Sequence, residues 1–201
     1  MKTKHTKVFA LILCIVTMFQ LASCAAANTT EATSAPTVTE ASAAPSEGDG
    51  EHTGKRVYFA GPLFNQGEKD FNLRLTNVLE AHGYTVFLPQ RDGIEAVLLE
   101  GKTEQEMSEM IFALDESEVL KADILFMNMD GRAPDEGACV ELGIAYANGI
   151  RCYGVKTDTR SVEKSIDINP MITGCMTELF TYYDGDELIA ALEQYLSENE
   201  L

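Results

Sequence analysis

Histidine is scarce in this chain. It occurs three times in 201 residues, at His5, His52 and His82. His5 and His52 fall in segments unlike folded protein and His82 at a predicted helix end, so no histidine-based metal centre is indicated. The cysteines suggest no metal either. Cys139, Cys152 and Cys175 lie in the foldable part of the chain; odd in number and widely spaced, they indicate neither a disulfide framework nor a zinc site. Buried thiols are the default reading, with a single disulfide left open. Basic residues are also few: 15 Lys and Arg stand against 32 Asp and Glu, a formal charge of −17. Such a surface repels phosphate backbones, which argues against nucleic acid as a partner. Neither a Gly-x-Gly-x-x-Gly run nor a P-loop follows the first predicted strand, where Ala60-Gly61-Pro62-Leu63-Phe64 stands instead. A dinucleotide or triphosphate site is therefore disfavoured.

The chain also lacks an apolar run of bilayer length. Val8 to Leu21 follows Lys2, Lys4 and Lys7, and is too short to span a membrane stably but has the form of a secretory signal. It ends in Leu21-Ala22-Ser23-Cys24, which resembles a bacterial lipobox. Residues 1–23 are thus expected to be removed, and Cys24 to carry a lipid that anchors the chain on the extracytoplasmic face of a bacterial membrane. A transmembrane anchor is the competing reading. Loss of the three leading lysines would make the mature chain more acidic still. Residues 24–53 are dominated by Ala, Thr, Ser, Pro and Glu and bury too little apolar surface to offset chain entropy, so they read as a tether. One domain of roughly 150 residues, 54–201, remains.

Within it, short apolar segments alternate with amphipathic ones. Arg56 to Ala60 and Thr85 to Leu88 read as strands, separated by a helix with Phe71, Leu75, Val78 and Leu79 on one stripe. Thr103-Glu104-Gln105-Glu106 is a capping box for a second helix, whose Met107, Met110, Ile111 and Leu114 recur at helical spacing. Ala122 to Met129 is nearly all apolar, the pattern of a strand covered on both faces. A third helix over 136–148, a strand over 150–155, a fifth strand near 178–182 and a final helix near 187–196 complete the series. The alternation predicts an α/β fold: a flavodoxin-like, doubly wound sheet of about five parallel strands with helices on both faces. Ligands bind such sheets beyond the carboxyl ends of the strands, which directs attention to the segments after Ala60, Leu88 and Met129.

The third of these segments runs Asp130-Gly131-Arg132-Ala133-Pro134-Asp135-Glu136-Gly137-Ala138-Cys139-Val140-Glu141-Leu142-Gly143. Helical spacing puts Gly137 and Ala138 one turn before Glu141, and Ile144 and Ala145 one turn after it. A carboxylate in such a small, apolar stripe must find partners or hold its proton more tightly. Asp135 has an ordinary explanation as a helix cap, and Asp115 as a solvated charge at the end of the second helix. Tyr58, Gln90, Asp92 and Asp130 also gather at predicted strand ends. Carboxylates without histidine or cysteine suit glycosyl chemistry, in which one group attacks an anomeric carbon and another handles the leaving group's proton. A magnesium site stays open.

The domain resembles nucleoside 2-deoxyribosyltransferases from Val57 to about Gly174. The resemblance rests on Tyr58-Phe59-Ala60-Gly61-Pro62-Leu63-Phe64, Leu88-Pro89-Gln90-Arg91-Asp92-Gly93, Asp115 eight residues before Asp123, the stretch ending Glu141-Leu142-Gly143, and Asn169-Pro170-Met171. It implies that Glu141 is the nucleophile, holding deoxyribose covalently while one base leaves and another enters, with retention at the anomeric carbon. Asp115 would face the base as a proton donor, and Asp135 would lie between nucleophile and sugar hydroxyls. Tyr58, Phe64 and Gln90 would bind substrate, with Tyr58 and Gln90 orienting the nucleophile. Asn169 and Met171 would be lent to a neighbouring subunit's site, so a homo-oligomer is implied, acting on deoxynucleosides and free nucleobases with no cofactor. Two departures stand out. The segment Ser197-Glu198-Asn199-Glu200-Leu201 lacks the aromatic terminus that closes the base pocket in some members. An exported enzyme of nucleoside salvage is also unexpected, and implies extracellular nucleosides as substrates. Two competing expectations are a deoxynucleoside or deoxynucleotide N-glycosidase on the same fold and a non-catalytic nucleoside-binding lipoprotein.

Overall fold

The computed structural model describes residues 54–160 and 167–201. The signal segment, Cys24 and the tether lie outside them. No helix of the described residues is long and apolar enough to cross a membrane.

Five strands form one parallel sheet: β1 (Arg56–Ala60), β2 (Thr85–Phe87), β3 (Ile124–Asn128), β4 (Arg151–Lys156) and β5 (Glu178–Thr181), in the order β2-β1-β3-β4-β5. This is the expected doubly wound order. The chain changes direction across the sheet between β1 and β3, the position where such folds open a ligand crevice. The principal helices are α1 (Gln66–Ala81), α4 (Glu104–Lys121), α5 (Glu136–Ala147) and α7 (Gly185–Glu198).

Side chains alternate across each strand, and the sheet accordingly divides two cores. Val57 and Phe59 of β1 with Ile124 and Phe126 of β3 meet Leu75 and Leu79 of α1 and Leu188, Leu192 and Leu196 of α7. Tyr58 and Ala60 with Leu125 and Met127 face the other way, toward Val119 of α4 and Ala138, Leu142 and Ala145 of α5. Every residue of β3 is buried, which accounts for its apolar reading up to Asn128. The capping box at Thr103 is present, its hydroxyl accepting from the Glu106 amide while Glu106 accepts from the Thr103 amide.

Some boundaries differ from those expected. Leu88 does not extend β2; Pro89 follows it at the first position of a short helix, α2 (Pro89–Asp92), where the missing amide hydrogen costs nothing. Two further single-turn helices, α3 (Ala96–Leu99) and α6 (Pro170–Thr173), are too short to show a periodicity. The last helix begins two residues early, because Asp184 caps it by accepting from the Asp186 and Glu187 amides. The apolar spacing of α4 marks a half-buried stripe rather than a buried one: Met107, Met110 and Leu114 are half-buried, with Leu114 packed on the core, but Ile111 is 44% and the adjacent Phe112 57% exposed.

Candidate active site

Glu141 sits on α5 and faces α4. Leu142, Ala138 and Ala145 anchor α5 to the sheet, which turns the adjacent Glu141 position toward the gap between the helices. The carboxylate is half-buried and accepts a hydrogen bond of 2.8 Å from the Tyr58 hydroxyl. Tyr58 itself is fully buried in β1, its ring stacked on Phe87 at 5.6 Å between centroids. Such a stack contributes on the order of 1 kcal/mol and holds the hydroxyl in one place. The central strand thereby aims one donor at the carboxylate.

A cavity of about 510 Å³ opens beside it, lined by Ile111, Phe112 and Asp115 of α4 and Val140, Glu141 and Ile144 of α5, among others. Three carboxyl groups, Asp115, Glu116 and Glu141, therefore share a mostly apolar wall. Burial, followed by the negative charges of Asp115 and Asp135, pushes Glu141 up to about 7 despite the opposing Tyr58 hydrogen bond. Burial also raises Asp115 above the usual carboxylate range. Tyr58 is held well above its ordinary value by burial and then by the Glu141 and Asp115 charges, so it stays a neutral donor. The carboxyl groups of Glu141 and Asp115 are coupled by charge, so a proton on one favours ionisation of the other, the division of labour that attack by one and proton donation by the other requires.

The other expected residues occupy distinct places. Asp135 is the N-cap of α5, accepting from the Ala138 amide at 2.9 Å, and its charge still reaches Glu141. Gln90 lies on the opposite face of the sheet, donating to the Lys69 carbonyl and accepting from Asn72. Asp92 accepts from the Leu88 amide and from Arg91, and Asp130 from the Thr157 and Asp158 amides, so both brace loops. Phe64 is 75% and Met171 80% exposed. Asn169 is exposed too and caps α6 through the Met171 amide at 2.9 Å. None of Phe64, Gln90, Asn169 and Met171 lines the cavity.

Sequence reasoning did not pick out Phe112 and Val140 as walls. The available signal was helical spacing: Ile111 lies one turn before Asp115, and Val140 adjoins Glu141. Among the described residues, no three His, Cys, Asp or Glu side chains are grouped to hold a metal ion.

Comparison with known proteins bears on the fold and the family. No curated protein matches the chain. Among solved structures, a conserved protein from Enterococcus faecalis V583 is similar over 70% of this chain and 98% of its own, at 25% identity and a TM-score of 0.56. A 2-deoxyribosyltransferase from Bacillus psychrosaccharolyticus is similar over 68% of this chain and 95% of its own, at 26% identity and a TM-score of 0.53. The family model for nucleoside 2-deoxyribosyltransferases matches residues 57–185, a span that takes in the sheet from the second residue of β1 onward and both Asp115 and Glu141, and the chain belongs to that family.

Proposed function

We propose that this protein transfers 2-deoxyribose between nucleobases, with Glu141 as the attacking carboxylate. The observation that carries the reading is the Glu141 carboxylate, half-buried, oriented by Tyr58 and facing Asp115 across an apolar cavity. In the first step a Glu141 oxygen bonds to the anomeric carbon as the bond from that carbon to the base nitrogen breaks, and the leaving base takes the Asp115 proton. In the second step a nitrogen of the incoming base displaces Glu141 and returns a proton to Asp115. Two inversions at one carbon give retention. The chemistry balances without an organic cofactor, and charge developing on the sugar is met by the ionised Glu141.

The substrate best fitted to the first loop has no 5′-phosphate. The amides of Phe64 and Asn65 at the start of α1, the natural place for an anion, already donate to the Glu68 carboxylate at 2.8 and 3.1 Å. A phosphate would have to displace a like charge. Nucleosides therefore rank above nucleotides.

Water is the competing acceptor, and one observation favours it. Leu201 is buried against α1 and α7, its amide donating to the Tyr84 hydroxyl at 2.8 Å, so residues 199–201 do not close the cavity. The exposed Ile111, Phe112 and Val140 around it form an apolar surface of the kind that subunits cover. Together with exposed Phe64, Asn169 and Met171, it supports a homo-oligomer in which neighbouring subunits complete each site. We further propose that the enzyme is lipid-anchored through Cys24 and acts on extracellular nucleosides. A Cys24→Ala variant should then fail to incorporate labelled fatty acid and leave the membrane fraction.

Incubation with deoxyinosine and adenine tests the reaction. Deoxyadenosine and hypoxanthine are expected from the wild type, and neither from Glu141→Ala. Hypoxanthine and free deoxyribose without deoxyadenosine would make the protein a hydrolase, no turnover would make it a binder, and an active Glu141→Ala variant would sink the assignment of the nucleophile.

A further inference from the structure

On the face of the sheet opposite Glu141, two side-chain amides are almost completely inaccessible: Asn128, 1% exposed at the end of the central strand, and Asn72, 2% exposed on α1. A polar side chain in a strand otherwise reading Ile-Leu-Phe-Met is costly unless fully bonded. Here it is bonded, and the bonds form a chain. The Asp130 amide donates to Asn128 Oδ1 at 3.0 Å, and Asn128 Nδ2 donates to Asn72 Oδ1 at 2.8 Å. Asn72 Nδ2 donates to the Pro62 carbonyl at 2.7 Å and to Gln90 Oε1 at 3.2 Å, and Gln90 Nε2 donates to the Lys69 carbonyl at 2.8 Å.

The direction of every bond in this relay is dictated from its ends. A backbone amide only donates, so the Asp130 amide fixes the Asn128 oxygen toward itself and the Asn128 nitrogen toward Asn72. Asn72 must then accept from Asn128 and donate onward, which matches the Pro62 carbonyl, an obligate acceptor. Gln90 must offer its oxygen to Asn72 and its nitrogen to Lys69, another carbonyl. No amide in the series can turn over without breaking a bond to the main chain.

The relay joins the segments that leave the carboxyl ends of three strands. Pro62 belongs to the connection after β1, Gln90 to α2 after β2, and Asp130 to the segment that leads from β3 into α5. Asp130 extends the bracing to a fourth by accepting from the Thr157 and Asp158 amides beyond β4, at 2.6 and 2.8 Å. Packing is equally tight beneath it: a Cβ at Gly61 would lie 3.0 Å from Asn128 Cβ. Tyr58 stands three residues before Gly61, and Glu141 hangs from the segment that Asp130 begins. The relay touches neither group, yet it sets the register of the segments carrying both.

We infer that Asn72 and Asn128 are positioning residues, which hold the strand-end segments in one arrangement so that an incoming base rather than water reaches the glycosyl group on Glu141. This rests on the proposed reaction. A loss of folded protein lowers transfer and hydrolysis alike. Loosened strand-end segments instead admit water and change the ratio of the two products, which a merely structural role does not do.

The test uses the full chain carrying Asn72→Leu, Asn128→Leu or both, because replacing both partners with apolar groups of similar size spares stability better than removing one. Hydrogen exchange of backbone amides is read together with the ratio of deoxyadenosine to free deoxyribose formed from deoxyinosine and adenine. The expected result is faster exchange at residues 61–64, 90–93 and 130–131, with the core helices α1 and α7 still protected and the ratio about tenfold lower, the change that one lost hydrogen bond supports. Gln90→Leu should lower the ratio too, and adding Asn72→Leu to it should bring less than the product of the separate effects. An unchanged ratio in active variants overturns the positioning role, as does faster exchange spread evenly over the domain. A wild-type protein that makes neither product overturns the functional reading and the catalytic half of this inference with it; the exchange pattern then judges the bracing alone.

Discussion

The two faces of the sheet are built to different ends. On the α1 and α7 side, Leu75, Leu79, Leu188 and Leu192 are wholly buried and Leu201 completes the core. On the α4 and α5 side, Val119, Ala138, Leu142 and Ala145 are buried against the sheet, but the outer halves of both helices leave Ile111, Phe112 and Val140 exposed around a cavity that also holds Asp115, Glu116 and Glu141. One face closes over its apolar surface; the other stops short and keeps a protonatable pair inside the gap. Stability and chemistry are thus largely assigned to opposite sides of the same strands, and Tyr58, whose ring belongs to the core and whose hydroxyl belongs to Glu141, links them.

This division can be broken at several points. Leu192→Ala, on the closed face, should cost about 2–5 kcal/mol of stability, read by thermal or denaturant unfolding, while the pH profile of the surviving activity stays in place. A moved profile would show that the faces are not separable. Asp115→Asn, on the open face, should do the reverse. Glu141 must be ionised to attack, so the rate of wild-type transfer should rise with pH through about 7. The negative charge of Asp115 is one cause that raises Glu141, so its removal should move this acidic limb to lower pH and slow the step that needs a proton on the leaving base. A limb that stays put or moves up would remove Asp115 from the site. The smallest expected effect is that of Phe112→Ser, which should leave the stability of the isolated subunit within about 0.5 kcal/mol because the ring is more than half exposed. The same variant should shift the protein to smaller assemblies in light scattering; unchanged assembly would detach this surface from subunit contacts.

Much of the architecture was legible in the chain. Strand period, capping residues and the apolar run of β3 each report local physics, and local physics places five strands and four long helices. The small stripe around Glu141 was legible for the same reason, since helical spacing needs no knowledge of distant residues. What stayed hidden depends on pairing across the fold. Nothing local distinguishes the apolar residues of α4 that face a gap from residues that face a core. The Asn128 to Asn72 bond spans 56 positions, and the only trace it leaves is an asparagine in an apolar strand. Asp92 and Asp130 read as pocket residues because loops at strand ends are polar for two reasons, binding and bracing, and the sequence does not separate them. Asp135 caps its helix, which helical spacing made legible, and its charge also reaches Glu141, which only the folded chain shows.

The central claim is that Glu141 becomes covalently bonded to the sugar. Mass spectrometry of enzyme mixed with deoxyinosine in the absence of an acceptor base, then quenched in acid and digested, reads this directly. The account predicts a deoxyribosyl adduct on the peptide that contains Glu141, lost when adenine is added before the quench and missing from Glu141→Gln. An adduct on a different residue, or steady turnover with none formed, would contradict it.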